Sequence, residues 1–215
     1  IARQVMRRWM LARAEHDLNT ASGVASQDPG KCPGVLFFSF DMEADQLGTR
    51  GAARLGEVPL WRLRRGEIDM ASSERLITAA NESDSIPIEI DDQGPATFAH
   101  IQGEAIRFCA RRPCSAIFID NASNIATESD PKGDRMFGTY IHMTNRLKWL
   151  SKMLKVPIVL LMHLNKGISD RPDPTPRYGD IPWGTQKDCD YAFGVWRPVL
   201  ALAKKGANLI VADFN

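Results

Sequence analysis

Val35-Leu36-Phe37-Phe38-Ser39-Phe40-Asp41 and Ala116-Ile117-Phe118-Ile119-Asp120 decide how this chain folds. Both are short apolar runs without alternation, the pattern of strands buried on both faces in a parallel sheet. A third run, 156–162, has the same character. In an open α/β sheet, ligands bind beyond the carboxyl ends of the strands. Asp41 and Asp120 each end such a strand, so the two carboxylates are candidates for one site. The competing reading makes each aspartate the cap of the helix that follows it.

Working outward, strands and helices alternate. Residues 1–15 carry apolar residues at a helical period (Ile1, Val5, Met6, Trp9, Met10), and 19–34 read as a loop. Helices are expected over 42–55, 71–83 (capped by Ser72 or Ser73), 97–111 (capped by Thr97) and 140–154, with a turn and short helix over 57–65. Residues 86–90 read as a short strand, and 191–196 and 208–212 complete the strands. A polar loop covers 121–134. A Pro-, Asp-, Arg- and Gly-rich stretch, 166–183, has no period of its own, and a loop that long in a compact domain usually carries function or moves. Alternation of this kind implies an α/β fold, a mainly parallel sheet covered by helices. With no repeat and no low-complexity linker, 1–215 is read as one domain.

Composition narrows the function classes. Lys plus Arg total 27 against 26 Asp plus Glu, so the overall field is weak, which argues against a histone-like or coating protein. Local basic clusters (Arg7-Arg8, Arg62-Leu63-Arg64-Arg65, Arg111-Arg112, Lys204-Lys205) are compatible with nucleic-acid grip through a few loops or with plain solvated faces. Cys32, Cys109, Cys114 and Cys189 show neither CxxC pairing nor histidines at zinc spacing, which predicts free thiols in a reducing compartment. No apolar stretch approaches membrane-spanning length, and no signal peptide opens the chain. A cytoplasmic protein is expected. Ile1 starts mid-pattern inside a helix, so a preceding segment is expected too.

Several segments, in order, resemble the C-terminal motor domain of the DnaB-type replicative DNA helicases, a branch of the RecA-like ATPases. They are VLFFSFDMEADQLGTR (35–50), VPLWRLRRGEID (58–69), SAIFID (115–120), RLKWLSKMLKVPIVLLMHLNK (146–166), RPDPTPRYGDI (171–181) and KDCDYAFGVWRP (187–198). The resemblance implies a RecA-like P-loop NTPase core that uses ATP and Mg²⁺, assembles as a homo-hexamer and threads single-stranded DNA. It suggests primase and a helicase loader as further partners, and a bacterial, phage or mobile-element setting. Asp120 corresponds to the Walker B acid that holds Mg²⁺ through water. Asp41 stands where the family has the glutamate that activates the attacking water, shorter by one methylene or roughly 1.5 Å of reach. A misplacement of that size can cost about a hundredfold in rate. His163 stands where the family usually has a γ-phosphate-sensing glutamine.

On the DNA side, the resemblance points to the loop that runs through Tyr178-Gly179-Asp180-Ile181-Pro182-Trp183-Gly184-Thr185. Lys166, Arg171 and Arg177 are candidate phosphate contacts, Trp183 a candidate base-stacking group, and Gly184 part of the backbone grip. Each also has a plain reading, as a solvated charge or a loop side chain packed on its own domain.

Two departures stand out. No GxxxxGK[ST], the glycine-rich loop whose amides cradle phosphates, occurs in the sequence. The expectation is that a preceding segment supplies it; the alternative is a degenerate member that binds DNA or a partner without hydrolysis. At the other end, either Asp213-Phe214-Asn215 replaces the Lys-x-Arg pair by which the family reaches into the neighbouring subunit, or these residues belong to a later strand with the intervening loop omitted. Another RecA-like ATPase, of the recombination or clock type, is the third reading, against which the LRRGEID turn argues.

Overall fold

The computed structural model describes residues 2–22, 30–94, 96–126, 136–165, 167–168, 171, 173 and 175–195. Four parallel strands form the main sheet: β1 (Gly34–Ser39), β2 (Ile88–Asp91), β4 (Cys114–Asp120) and β6 (Ile158–Leu160), in the order β2-β1-β4-β6. A second, two-stranded parallel pair joins β3 (Ala96–Thr97) to β5 (Ile125–Ala126). The helices are α1 (Ala2–Ala21), α2 (Ala44–Leu55), α3 (Leu60–Arg65), α4 (Met70–Ser85), α5 (Phe98–Arg111) and α6 (Met136–Leu154).

The two aspartate-terminated runs lie side by side at the centre of the sheet, paired from Val35↔Ala116 to Ser39↔Asp120. Leu36 and Phe38 on β1 and Ile117 and Ile119 on β4 share one face, because strand side chains alternate. Against them pack Phe98, Ile101, Ala105 and Phe108 of α5 and Tyr140, Met143, Leu147 and Leu150 of α6. Truncating any of the large members of such a core to alanine costs roughly 2–5 kcal/mol. On the other face Phe37 and Phe118 stack, ring centroids 6.0 Å apart. Gly34 opens β1 where a Cβ would come within 2.7 Å of the Phe108 ring and 2.8 Å of Arg112. That crowding is why the strand starts on a residue without a side chain.

Thr97 caps α5 as expected, its hydroxyl accepting from His100 N–H. Three expectations need correction. The cap of α4 is Asp69, not Ser72 or Ser73; its carboxylate accepts from Ser72 N–H at 2.7 Å, and a negative charge there also suits the helix dipole. The first helix continues through Ala21, past its apolar period. Residues 191–195 form no strand: Tyr191, Phe193 and Val195 are 82%, 88% and 88% exposed and have no ladder partner among the described residues. The run 208–212 lies outside the described residues. Among them, no helix is long and apolar enough to cross a membrane.

Candidate functional site

The pairing of β1 with β4 carries both aspartates to the same edge of the sheet. Phe40 N–H donates to the Asp120 carbonyl at 2.7 Å, so Asp41 begins the turn directly beside the end of β4. Ser39 Oγ donates to the Met42 carbonyl at 2.6 Å and closes that turn, while Asn124 Nδ2 donates to the Phe40 carbonyl at 3.3 Å. On the other side, Leu161 N–H donates to Ile119 O and Ala122 N–H to Leu161 O, both at 2.9 Å. These bonds bring the segment leading to His163 alongside. The Asp120 carboxyl is pushed above the usual carboxylate range, first by burial, then by the Asp41 charge, against an opposing pull from His163. Asp41 and His163 therefore lie within electrostatic reach of Asp120, beyond the carboxyl ends of the strands.

Neither aspartate caps a helix. The N-cap of α2 is Glu43, which makes no side-chain cap bond, and the Ala44 N–H is taken by Asp92 Oδ2 at 2.8 Å, from the end of β2. The 3₁₀ turn after β4 (Ala122–Asn124) is capped by Asn121, whose Oδ1 accepts from Ser123 N–H at 3.0 Å. Among the described residues, no lysine or arginine lies in ion-pair range of Asp41 or Asp120. Two neighbouring carboxylates without a basic partner fit a divalent cation, which would neutralise both. The sequence reading missed Asn121. Its side chain is buried, with a relative exposure of 5%, and its Nδ2 lies 3.5 Å from His163 Nε2.

The loop assigned to DNA is built around one carboxylate. Asp180 is buried and accepts from both terminal nitrogens of Arg171, at 2.9 and 2.7 Å, and from Arg177 N–H at 2.7 Å. Arg171 also donates to the Thr175 carbonyl at 3.0 Å, so its guanidinium is committed within the loop. The Asp180 carbonyl accepts from Asn165 N–H at 3.0 Å, tying this loop to the segment two residues beyond His163. Arg177 is exposed, with one guanidinium nitrogen 3.3 Å from Asp173. Gly184 adopts φ +69° inside the 3₁₀ segment Pro182–Lys187, a conformation that glycine takes without strain. The backbone of Trp183 belongs to that segment. Lys166 lies outside the described residues. Below the segment, Thr144 Oγ1 bonds Asp188 Oδ2 and Lys148 pairs with Asp190, fastening it to α6.

Arg171, followed by the Arg177 N–H, holds the Asp180 carboxyl below its ordinary range. A carboxylate with a lowered folded-state pKa contributes stability that is fully present above its unfolded value, about 3.9, and is lost as pH falls through the folded value. Asp180→Ala should therefore open the loop at neutral pH, read as several-fold faster proteolytic nicking within 171–188. The difference from the parent chain should vanish only well below pH ~4.

Other titratable groups have structural partners. Asp91, His100 and Glu104 lie close enough together to share an ion. His100 Nε2 is already 2.7 Å from Asp91 Oδ2, and Glu104 pairs with Arg107, which also feels the Asp91 charge. The cysteines are free thiols. Burial, and then neighbouring Cys109, push the Cys114 thiol up to about 12, the opposite of a reactive thiolate.

Comparison with known proteins matches residues 12–211 to the DnaB-like helicase C terminal domain family. The replicative DNA helicase DnaB of Rickettsia bellii (strain RML369-C) is 26% identical over 181 residues, covering 83% of this chain and 36% of that protein. The replicative DNA helicase DnaB of Leifsonia xyli subsp. xyli (strain CTCB07) is 25% identical over 147 residues, covering 68% of this chain and 32% of that protein. The chain thus spans about a third of the length of these curated relatives. Among solved structures, a DnaB-like replicative helicase studied with its primase interactions superposes with a TM-score of 0.68 at 19% identity, over 74% of this chain and 40% of that one. A second solved structure, of an ATPase domain, gives a TM-score of 0.67 at 19% identity, over 74% of this chain and 57% of that one. Both structures show the fold, a RecA-like α/β arrangement of parallel sheet and flanking helices. The chain belongs to the DnaB-like helicase C-terminal domain family.

Proposed function

We propose that this family member is an ATP-hydrolysing motor that moves along single-stranded DNA as a homo-hexameric ring and unwinds duplex, with 1–215 acting as one motor domain. The observation that carries the reading is the placement of Asp41 and Asp120 at the ends of two paired strands, with His163 in electrostatic reach of Asp120 and no described basic side chain to neutralise the two carboxylates. Mg²⁺-ATP, when bound, supplies the phosphoanhydride and the cation that offsets charge on the transferring phosphoryl group. Asp120 would hold that cation through water. Asp41 orients the attacking water and accepts its proton. His163 hydrogen-bonds the γ-phosphate.

The bond from Asn165 N–H to the Asp180 carbonyl supports a mechanical route from that sensor to the DNA loop. In this reading a shift of the segment carrying His163 is passed through that bond to Asp180, and so to the loop that Arg171 and Asp180 hold in shape. In this reading Arg171 shapes the loop, while Arg177, Lys166, Trp183 and the backbone around Gly184 meet DNA. Primase and a helicase loader are partners that the family likeness suggests, in the cytoplasm of a bacterium or phage-infected host.

The test is strand displacement from a forked duplex by the gene product that bears this chain. ATP- and Mg²⁺-dependent release of the displaced strand is expected. DNA binding without displacement or hydrolysis would instead identify a non-hydrolysing RecA-like module.

A further inference from the structure

Asn121 follows the metal-site aspartate and touches the sensor histidine, and its two amide atoms are distinguishable by what they face. Its oxygen accepts from the Ser123 backbone N–H at 3.0 Å and from the Ser123 hydroxyl. A backbone N–H can only donate, so the atom facing it must be the amide oxygen. The amide nitrogen is then the atom turned to His163 Nε2, at 3.5 Å. An amide nitrogen can only donate, so Nε2 must present a lone pair. A neutral imidazole has one donor and one acceptor, which leaves the proton on Nδ1. The 3.5 Å separation is at the outer edge of hydrogen bonding, as is common for functional contacts before substrate arrives.

We infer that Asn121 is a positioning residue that fixes His163 as the Nδ1–H tautomer, making Nδ1–H the donor offered to the γ-phosphate. The role of His163 as phosphate sensor is taken from the proposed function; the tautomer itself is a property of the chain alone. Phosphate oxygens are acceptors, so the ring nitrogen that meets them must carry a proton, and the contact with Asn121 leaves Nδ1 as that nitrogen. Asn121 can hold this arrangement because it is nearly fully buried and its oxygen is pinned by the turn it caps.

The test is a two-bond ¹⁵N–¹H correlation spectrum of the ¹⁵N-histidine-labelled chain, without nucleotide, at mildly alkaline pH. A His163→Gln spectrum identifies the His163 signals. The parent chain should show the Nδ1–H pattern. Asn121→Ser retains an oxygen able to cap the turn but no donor that reaches the ring. It should shift His163 toward the Nε2–H form that free histidine side chains favour in water. Asn121→Asp, which retains the cap and replaces the donor by an acceptor, should do the same. In the gene product that bears this chain, Asn121→Ser should lower kcat for ATP about ten- to a hundredfold with KM little changed.

An Nε2–H pattern in the parent chain, or an unchanged Nδ1–H pattern in both variants, overturns the inference. The two readings fail separately. Hydrolysis with an Nε2–H ring removes only the tautomer assignment. An Nδ1–H ring in a protein that neither binds nor hydrolyses ATP removes the motor and leaves the Asn121–His163 contact standing.

Discussion

Asp120→Asn is expected to abolish Mg²⁺-dependent ATP hydrolysis while making the fold more stable. The two effects have one cause. Burial and the adjacent Asp41 charge disfavour the ionised Asp120 carboxyl in the folded chain, and His163 offsets this only in part. A carboxyl whose folded-state pKa is raised destabilises the fold at neutral pH, because the folded state holds the charge less readily than the unfolded chain does. That cost is relieved as pH falls through the raised value. Asparagine has nearly the same shape and no charge, so it removes the cost at every pH. A melting temperature higher by about 2 °C would correspond to about 0.5–1 kcal/mol in a chain of this length. On the functional side, the lost cation ligand should cost several kcal/mol of transition-state stabilisation, about 10²- to 10⁴-fold in rate. Thermal melts and steady-state ATPase assays on the same variant check both halves. A carboxylate kept for structure would give the opposite sign in the melt.

Asp41→Asn should lower kcat by about 10²- to 10⁴-fold, the range that a positioned general base supplies, with nucleotide and DNA affinity retained. Asp41 is exposed, and the helix beyond it is served by Asp92 instead, so stability should change by no more than ~0.5 kcal/mol. In the role proposed for Asp41, Asp41→Glu adds one methylene of reach toward the attacking water and should raise kcat. Single-turnover hydrolysis separates these effects from binding. If Asp41→Asn leaves the single-turnover rate unchanged, the attacking water is handled elsewhere.

The central strands were legible because their chemistry is local. Unbroken apolar runs such as those ending at Asp41 and Asp120 have few folds open to them, and β1 and β4 lie where the runs do. Thr97 was legible as a cap for the same reason, being a hydroxyl residue directly ahead of an amphipathic period. What stayed hidden depends on contacts between distant residues. Asn121 and His163 are 42 positions apart and meet only because β6 lies beside β4. Arg171 and Arg177 look alike in the sequence. Only the folded loop shows one committed to Asp180 and the other exposed. Residues 191–196 read as a strand, but an apolar segment makes a strand only where a neighbour supplies the ladder, and 191–195 have none among the described residues. Asp69 won the α4 cap from two serines because its carboxylate reaches Ser72 N–H and complements the helix dipole.

ATP hydrolysis by the gene product that bears this chain, measured with and without single-stranded DNA and beside its Asp41→Asn variant, tests most directly whether Asp41, Asp120 and His163 form a motor's active site. The expected result is Mg²⁺-dependent hydrolysis that single-stranded DNA accelerates and that Asp41→Asn removes while ATP still binds. Hydrolysis absent from the parent protein despite bound ATP, or equally fast in Asp41→Asn, would contradict it.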